Sequence, residues 1–227
     1  MKSILKLSIG AILVLTVLHI NCDFINPIDS VLEWDILTDI DGNTYKTVKI
    51  RNQWWMAENL KVRHYRNGEP ITNYWAYGDV VTYGFLYDWY AISDSSNIAP
   101  EGWHVPTDED WVELEMSLGM SQSEVNKTDA GWRGTDEGGK LKETGYSHWA
   151  DPNTGATNIS GFFALPGGCR HGQYGTFDYL GTDAYFWSAT ESQKSWALAR
   201  SLYHNKSEIL YYSQLKSWGL SVRLVRD

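Results

Sequence analysis

Pro100-Glu101-Gly102-Trp103-His104-Val105-Pro106-Thr107-Asp108-Glu109-Asp110-Trp111 carries the clearest helix start in the chain. Thr107 is a good N-cap, because its hydroxyl accepts one of the backbone N–H groups that a first turn leaves without a partner. Asp110 stands three residues on, where a capping box places Glu or Gln. Asp108, Glu109 and Asp110 set negative charge against the positive end of the helix dipole. Trp111, Leu114 and Leu118 then recur at helical spacing and give one apolar face. Gly119 closes the helix in a left-handed conformation. Before the helix, Trp103 and Val105 read as a short buried strand.

Working outward, Asp41-Gly42 is a turn signal, and Thr44 to Ile50 alternates between two faces. Arg51-Asn52 turns the chain into Gln53-Trp54-Trp55-Met56, which predicts a hairpin. Asp39-x-Asp41-x-Asn43 looks like a calcium loop, but Thr44 stands where that loop requires Gly, so the turn reading is preferred. Gly84 to Ala91 reads as an aromatic strand or helix start packed in the core. Ser121, with Glu124 three residues on, predicts a short second helix to Lys127. Gly138-Gly139-Lys140 lacks the spacing of a phosphate loop. Trp196 to Tyr203 and Gly219 to Asp227 alternate and read as strands, the latter closing the chain.

The chain has 227 residues with 12 Trp, 14 Tyr and 20 Gly. Many aromatics among many turn formers indicate a loop-rich α+β domain rather than a helical bundle. Lys2 and Lys6 precede a mostly apolar run, Leu7 to Ile20, too short for a comfortable membrane span. Residues 1–21 therefore read as a signal peptide. Cys22 follows at once, and this arrangement resembles a bacterial lipoprotein cleavage site, with Asn21 in place of the usual small residue. That resemblance implies lipid attachment at Cys22, a tether over 22–36 and a domain over 37–227. Removing a leader that holds Lys2, Lys6 and no acid takes the formal net charge from −9 to −11. Such a charge excludes a general electrostatic footprint for nucleic acid.

Gly-Trp-His-Val-Pro-Thr-Asp-x-x-Trp at 102–111 resembles the signature of the Fibrobacter succinogenes major paralogous domain, a family of bacterial surface and secreted proteins. Asp-x-Asp-Gly-Asn-x-Tyr-x-x-Val-x-Ile-x-x-Gln-Trp-Trp-Met-x-Glu-Asn-Leu at 39–60 is similar to the opening of the same family. So are Tyr-Gly-x-Leu-Tyr-x-Trp-Tyr-Ala at 83–91, the run Gly161 to Arg170, and Tyr185-Phe186-Trp187-Ser188-Ala189-Thr190. Pro106-Thr107 with the helix after it, and Gly-x-Ser-Val-Arg-x-Val-Arg-Asp at 219–227, are also similar to the formylglycine-generating enzyme family. Both resemblances imply a C-type-lectin-like domain: twisted antiparallel sheets, one main helix and long loops.

The enzyme relatives imply a pair of cysteines and a copper ion. Here only Cys169 remains once Cys22 is assigned to the lipid, so no thiolate pair is available within one domain. The six histidines show no metal-helix spacing. Asp151-Pro152-Asn153 and Asn158 faintly resemble the calcium and sugar motif of C-type lectins, but the companion motif is missing and such clusters form turns. The expectation is thus a non-enzymatic domain without cofactor or metal, lipid-anchored at the membrane in the bacterial cell envelope, periplasmic or surface-exposed. The partner is an unidentified protein or glycan ligand, not nucleic acid. The fold resemblance places the binding face on the late segment, with Tyr203, His204, Tyr211, Tyr212, Gln214 and Trp218 as contacts. Tyr and Trp offer contact area at low entropic cost; the alternative is that these aromatics are half-buried strand residues. A formylglycine-generating-type enzyme and a structural envelope protein are the competing functions.

Lipid attachment is testable directly. Metabolic labelling with a fatty-acid analogue should mark the wild type and leave Cys22→Ser unmarked; equal labelling of both would refute it.

Overall fold

The computed structural model describes residues 32–227. The leader, Cys22 and the tether as far as residue 31 lie outside the described residues. The domain's first element begins earlier than the expected boundary at residue 37. Strand β1 (Glu33–Thr38) pairs antiparallel with β2 (Thr44–Ile50), so the last part of the expected tether is an edge strand. The turn between them is held by Asp39, whose carboxylate accepts from the Asn43 backbone and side chain and from the Tyr45 hydroxyl.

β2 forms the expected hairpin with β3 (Gln53–Met56). Then follow β4 (Tyr74–Ala76), α1 (Val80–Tyr83), β5 (Phe85–Tyr87), α2 (Trp89–Ile92) and β6 (Trp103–His104). α3 (Asp108–Ser117) is the only helix of ten residues among those described, followed by α4 (Gln122–Val125), β7 (Gly131–Arg133) and α5 (Glu137–Leu141). The late half is strand: β8 (Gly167–Arg170), β9 (Phe177–Leu180), β10 (Asp183–Gln193), β11 (Trp196–Tyr203), β12 (Ile209–Leu215) and β13 (Val225–Arg226).

Two sheets carry the fold, a five-stranded one ordered β1-β2-β3-β13-β6 and a six-stranded one ordered β7-β12-β11-β10-β8-β9. All ladders are antiparallel except β10 with β8. β4 and β5 form a separate pair. The architecture is α+β. Both sheets are buried on both faces at their centres. Tyr45, Met56, Tyr185 and Trp187 point into one core, while Val48, Trp55, Phe186 and Leu202 point into the other. Period-2 alternation thus marks two apolar cores here, rather than one core and solvent.

Residues 219–224 cross from one sheet to the other. Leu220 bridges to Tyr87 and Ser221 to Phe186, and only then does β13 join β3. The expected closing strand is therefore ladder only at Val225 and Arg226. Its pattern is still honoured: Leu220, Val222 and Leu224 all enter the first core. Arg223, on the opposite side, is buried and donates to Asn59 Oδ1 (2.6 Å) and to the carbonyls of Met56 (3.0 Å), Phe162 (2.7 Å) and Phe163 (3.0 Å).

α3 starts as its sequence requires. Thr107 Oγ1 accepts from the Asp110 amide, and the Asp110 carboxylate accepts from the Thr107 amide. His104 adds a second clamp, with Nε2 3.1 Å from Asp110 and Nδ1 2.6 Å from Asp227. Trp111 and Leu114 enter the second core. On the same helix Glu115 is wholly buried and accepts from Arg200 Nε of β11 at 2.6 Å and from Arg133 of β7. Arg200 also reaches Asp108 at 2.7 Å.

Two stability measurements check this frame. Glu115→Gln leaves two buried guanidinium groups without their shared charge and should cost about 3 kcal/mol or more; Thr107→Ala should cost about 1 kcal/mol. Equal, small changes in the denaturant midpoint would contradict the ordering. Asp88 caps α2 through the Ala91 amide, and burial pushes its carboxyl up to about 6 from 3.8. The folded state therefore binds more protons than the unfolded one between pH 4 and 6, so this group costs stability progressively as pH rises through that window. Asp88→Asn keeps an acceptor for the cap. It should raise the unfolding free energy at pH 7 by up to about 3 kcal/mol, and by far less at pH 4. A loss at pH 7 in urea melts would refute this.

Candidate functional site

The late segment is a twisted ladder, and its register decides which side chains share a face. β11 pairs with β12 through Ala197↔Gln214, Ala199↔Tyr212, Arg200↔Tyr211 and Ser201↔Leu210. Tyr212 and Gln214 therefore lie on one face and Tyr211 on the other. Tyr203 pairs with Asp183 of β10, which shares its face with Tyr185 and Trp187.

The six residues expected to contact a ligand are thus divided. Tyr211 is only 8% exposed and lies beneath two guanidinium groups, Arg133 at 4.3 Å and Arg200 at 4.7 Å from its ring centre. Tyr212 is half-buried and its hydroxyl accepts from Ser201 at 3.1 Å. Gln214 is half-buried and accepts from the Leu215 amide. Trp218 stacks on His171 with ring centres 4.0 Å apart. Tyr203 and His204 are half-buried at the end of β11, and they belong to a larger arrangement.

That arrangement is a row of aromatic rings crossing the sheet. Trp132 of β7 meets Tyr203 of β11 edge-on at 5.0 Å, Tyr203 meets Tyr185 of β10 at 6.2 Å, and Tyr185 meets Tyr179 of β9 at 6.0 Å. Tyr179 ends the row 50% exposed, in the left-handed region at φ 69°. Left-handed geometry is uncommon for a residue other than Gly and marks a position held by its surroundings. Lys206 Nζ sits 5.5 Å from the Trp132 ring centre. Asp183 is buried, accepts from the Tyr185 hydroxyl at 3.0 Å and stands 3.9 Å from His204 Nδ1. Burial holds the Asp183 carboxyl above the usual carboxylate range.

The backbone under this row is pinned from behind by Lys142. Its buried ammonium donates to the carbonyls of Tyr203 (3.0 Å), Lys206 (2.8 Å) and Thr154 (2.9 Å), and burial lowers its pKa to about 8. The Thr154 amide donates to the His204 carbonyl at 2.7 Å. Gly138 and Gly139 are needed for this contact: a Cβ on Gly139 would lie 2.1 Å from the Gly155 carbonyl oxygen, and one on Gly138 2.4 Å from that of Glu208. The Gly-Gly-Lys stretch that is no phosphate loop is thus the close-packed seat of the β11–β12 turn.

In the loop that resembles a calcium motif, two asparagine side chains bond to nearby backbone, while the buried Asn153 Oδ1 has no partner among the described residues. Asn153 Nδ2 donates to the carbonyls of Glu143 and Gly145, and Asn158 Oδ1 accepts from the Phe163 amide. Among the described residues no three His, Cys, Asp or Glu side chains are grouped to hold a metal ion. Cys169 is wholly buried, and burial pushes its thiol up to about 12.

Trp132, Tyr179, Tyr185 and Asp183 escape the sequence reading. The alternation Asp183-x-Tyr185-x-Trp187 was visible, but not that β7 and β9 would extend the same face at both ends.

No curated protein and no solved structure matches the chain significantly. A family model described as the Fibrobacter succinogenes major domain matches residues 48–226. It spans the chain from the last three residues of β2 onward, including β3, the capped α3, the crossing at 219–224 and every later strand. The chain belongs to the Fibrobacter succinogenes major domain family.

Proposed function

We propose that this chain is a cell-envelope lipoprotein, anchored through Cys22, whose C-type-lectin-like domain binds a protein or glycan ligand without catalysis. The observation that carries the binding reading is the aromatic row from Trp132 through Tyr203 to Tyr179, joined through the buried Tyr185 and set on a pinned backbone. Rigid aromatic faces give contact area with little entropy to lose. His204, Lys206 and the hydroxyls of Tyr179 and Tyr203 supply directional hydrogen bonds beside them, while the buried Asp183 and Tyr185 bond to each other beneath. Flat apolar rings ringed by hydrogen-bonding groups suit a glycan, whose ring faces are apolar and whose edges are hydroxyls. The inaccessible, fully protonated Cys169 thiol weighs against the cysteine-based oxidation of the formylglycine-generating relatives. The acidic charge weighs against nucleic acid.

A glycan and protein array with the mature chain, followed by titration calorimetry on any hit, tests this. Tyr179→Ala and Tyr203→Ala should each weaken binding by more than about 1 kcal/mol. Tyr211→Ala should lower the unfolding midpoint and leave the affinity of the folded protein unchanged. Affinity indifferent to Tyr179 and Tyr203 would sink the assignment of the site.

A further inference from the structure

A second surface has the opposite character. β1 is the edge of the five-stranded sheet and lies outside the family-matched region, which begins at residue 48. Trp34 is 51% and Ile36 66% exposed, on the same side of the strand. With Asp35 and Lys46 they line a shallow groove of about 510 Å³. Lys46 pairs in register with Ile36 and is exposed. The inner edge of the Trp34 ring rests on Gly161: a Cβ there would lie 3.0 Å from the indole. The outer half has nothing over it among the described residues.

We infer that Trp34 and Ile36 seat this domain on the lipid surface to which Cys22 anchors it. The inference rests on the lipoprotein reading. Trp34 follows Cys22 by twelve residues, and an extended chain spans at most about 3.3–3.6 Å per residue. The patch is therefore held within about 40 Å of an acylated Cys22 whatever path the chain takes. Confinement of that kind turns a weak contact into a populated one, because the second encounter is intramolecular. The side chains are of the interfacial kind: an indole, an aliphatic residue and a lysine, a residue type that can lay its stem along apolar surface and keep its ammonium in water.

The carboxylates of β1 do not oppose this. Glu33 alternates to the other side of the strand, Asp35 borders the groove, and both are paired, with Lys49 at 2.9 Å and Arg226 at 2.7 Å. The rival occupant is a second copy adding strand to strand at this open edge. Antiparallel self-pairing about Asp35 would set the acidic side chains of the two strands against each other, which disfavours it.

The test uses the full acylated chain in phosphatidylcholine–phosphatidylglycerol vesicles. A nitroxide is placed on Ile36→Cys or, as an independent check, on Trp34→Cys. Cys169 is wholly buried and stays unlabelled. The reference is Ser123→Cys, at an exposed position on α4. Collision with oxygen relative to a water-soluble nickel chelate should be at least about threefold higher at position 36 than at 123, as for an interfacial side chain. Equal ratios in a chain that floats with the vesicles and carries its acyl group overturn the docking and leave the lipoprotein reading intact. A chain without an acyl group sinks both. Spin–spin broadening at position 36 that persists in detergent assigns the patch to a second copy instead and overturns the proposal.

Discussion

The buried carboxylate of Glu115 is the interaction on which the domain's assembly depends. It sits on α3 with no solvent contact and pairs with both Arg200 of β11 and Arg133 of β7, while Asp108 gives Arg200 a second negative partner. A carboxylate shared between two buried guanidinium groups is unstable unless all three are held in place, since each unpaired buried charge costs several kcal/mol. Helix, central strand and edge strand must therefore dock as a unit. The same network lies over Tyr211 and removes it from the surface.

Two further cations are buried without a carboxylate in hydrogen-bond reach, and both act on loops. Arg223 gathers the carbonyls of Met56, Phe162 and Phe163 and the amide oxygen of Asn59. Lys142 gathers those of Thr154, Tyr203 and Lys206. Backbone carbonyls in an apolar interior need donors. One long side chain with several N–H groups satisfies three or four at once and ties together segments far apart in sequence. This gives the family-like stretches a physical meaning. Asn59, Phe162, Phe163 and Arg223 lie in three separate motifs and meet at one guanidinium. His104 and Asp110 meet at the helix start, where the imidazole bridges Asp110 and Asp227. Both aspartates hold that imidazole above the usual histidine range, with the Asp110 hydrogen bond the largest cause.

The proposed binding row and the exposed apolar patch on β1 sit on different sheets and answer to different constraints. The row is stiff because the turn beneath it is anchored by Lys142 and packed on Gly138, Gly139 and Gly155. A contact surface with little freedom to lose retains more of its interaction energy on binding. The lipid contact proposed for β1 needs no such stiffness, since a fluid lipid surface adapts to what docks on it.

Read alone, the residues determined the local elements. Thr107, Asp110 and Gly119 define α3 by capping chemistry, and Arg51-Asn52 with its flanking alternation defines the β2–β3 hairpin, because turns and caps depend on neighbours in sequence. The tertiary structure decided what those elements face. Tyr211 and Tyr212 are adjacent in the chain and chemically identical, yet one supports buried arginines and the other packs against the first core beside Ser201, because strand register sends consecutive side chains to opposite sides. The stretch before residue 37 reads as tether because it carries Asn26-Pro27 and no periodicity up to Glu33, and only pairing with β2 makes its end a strand. The aromatic row needs β7, β9, β10 and β11 side by side. That adjacency is set by long-range packing across the two cores, which no local pattern of residues encodes.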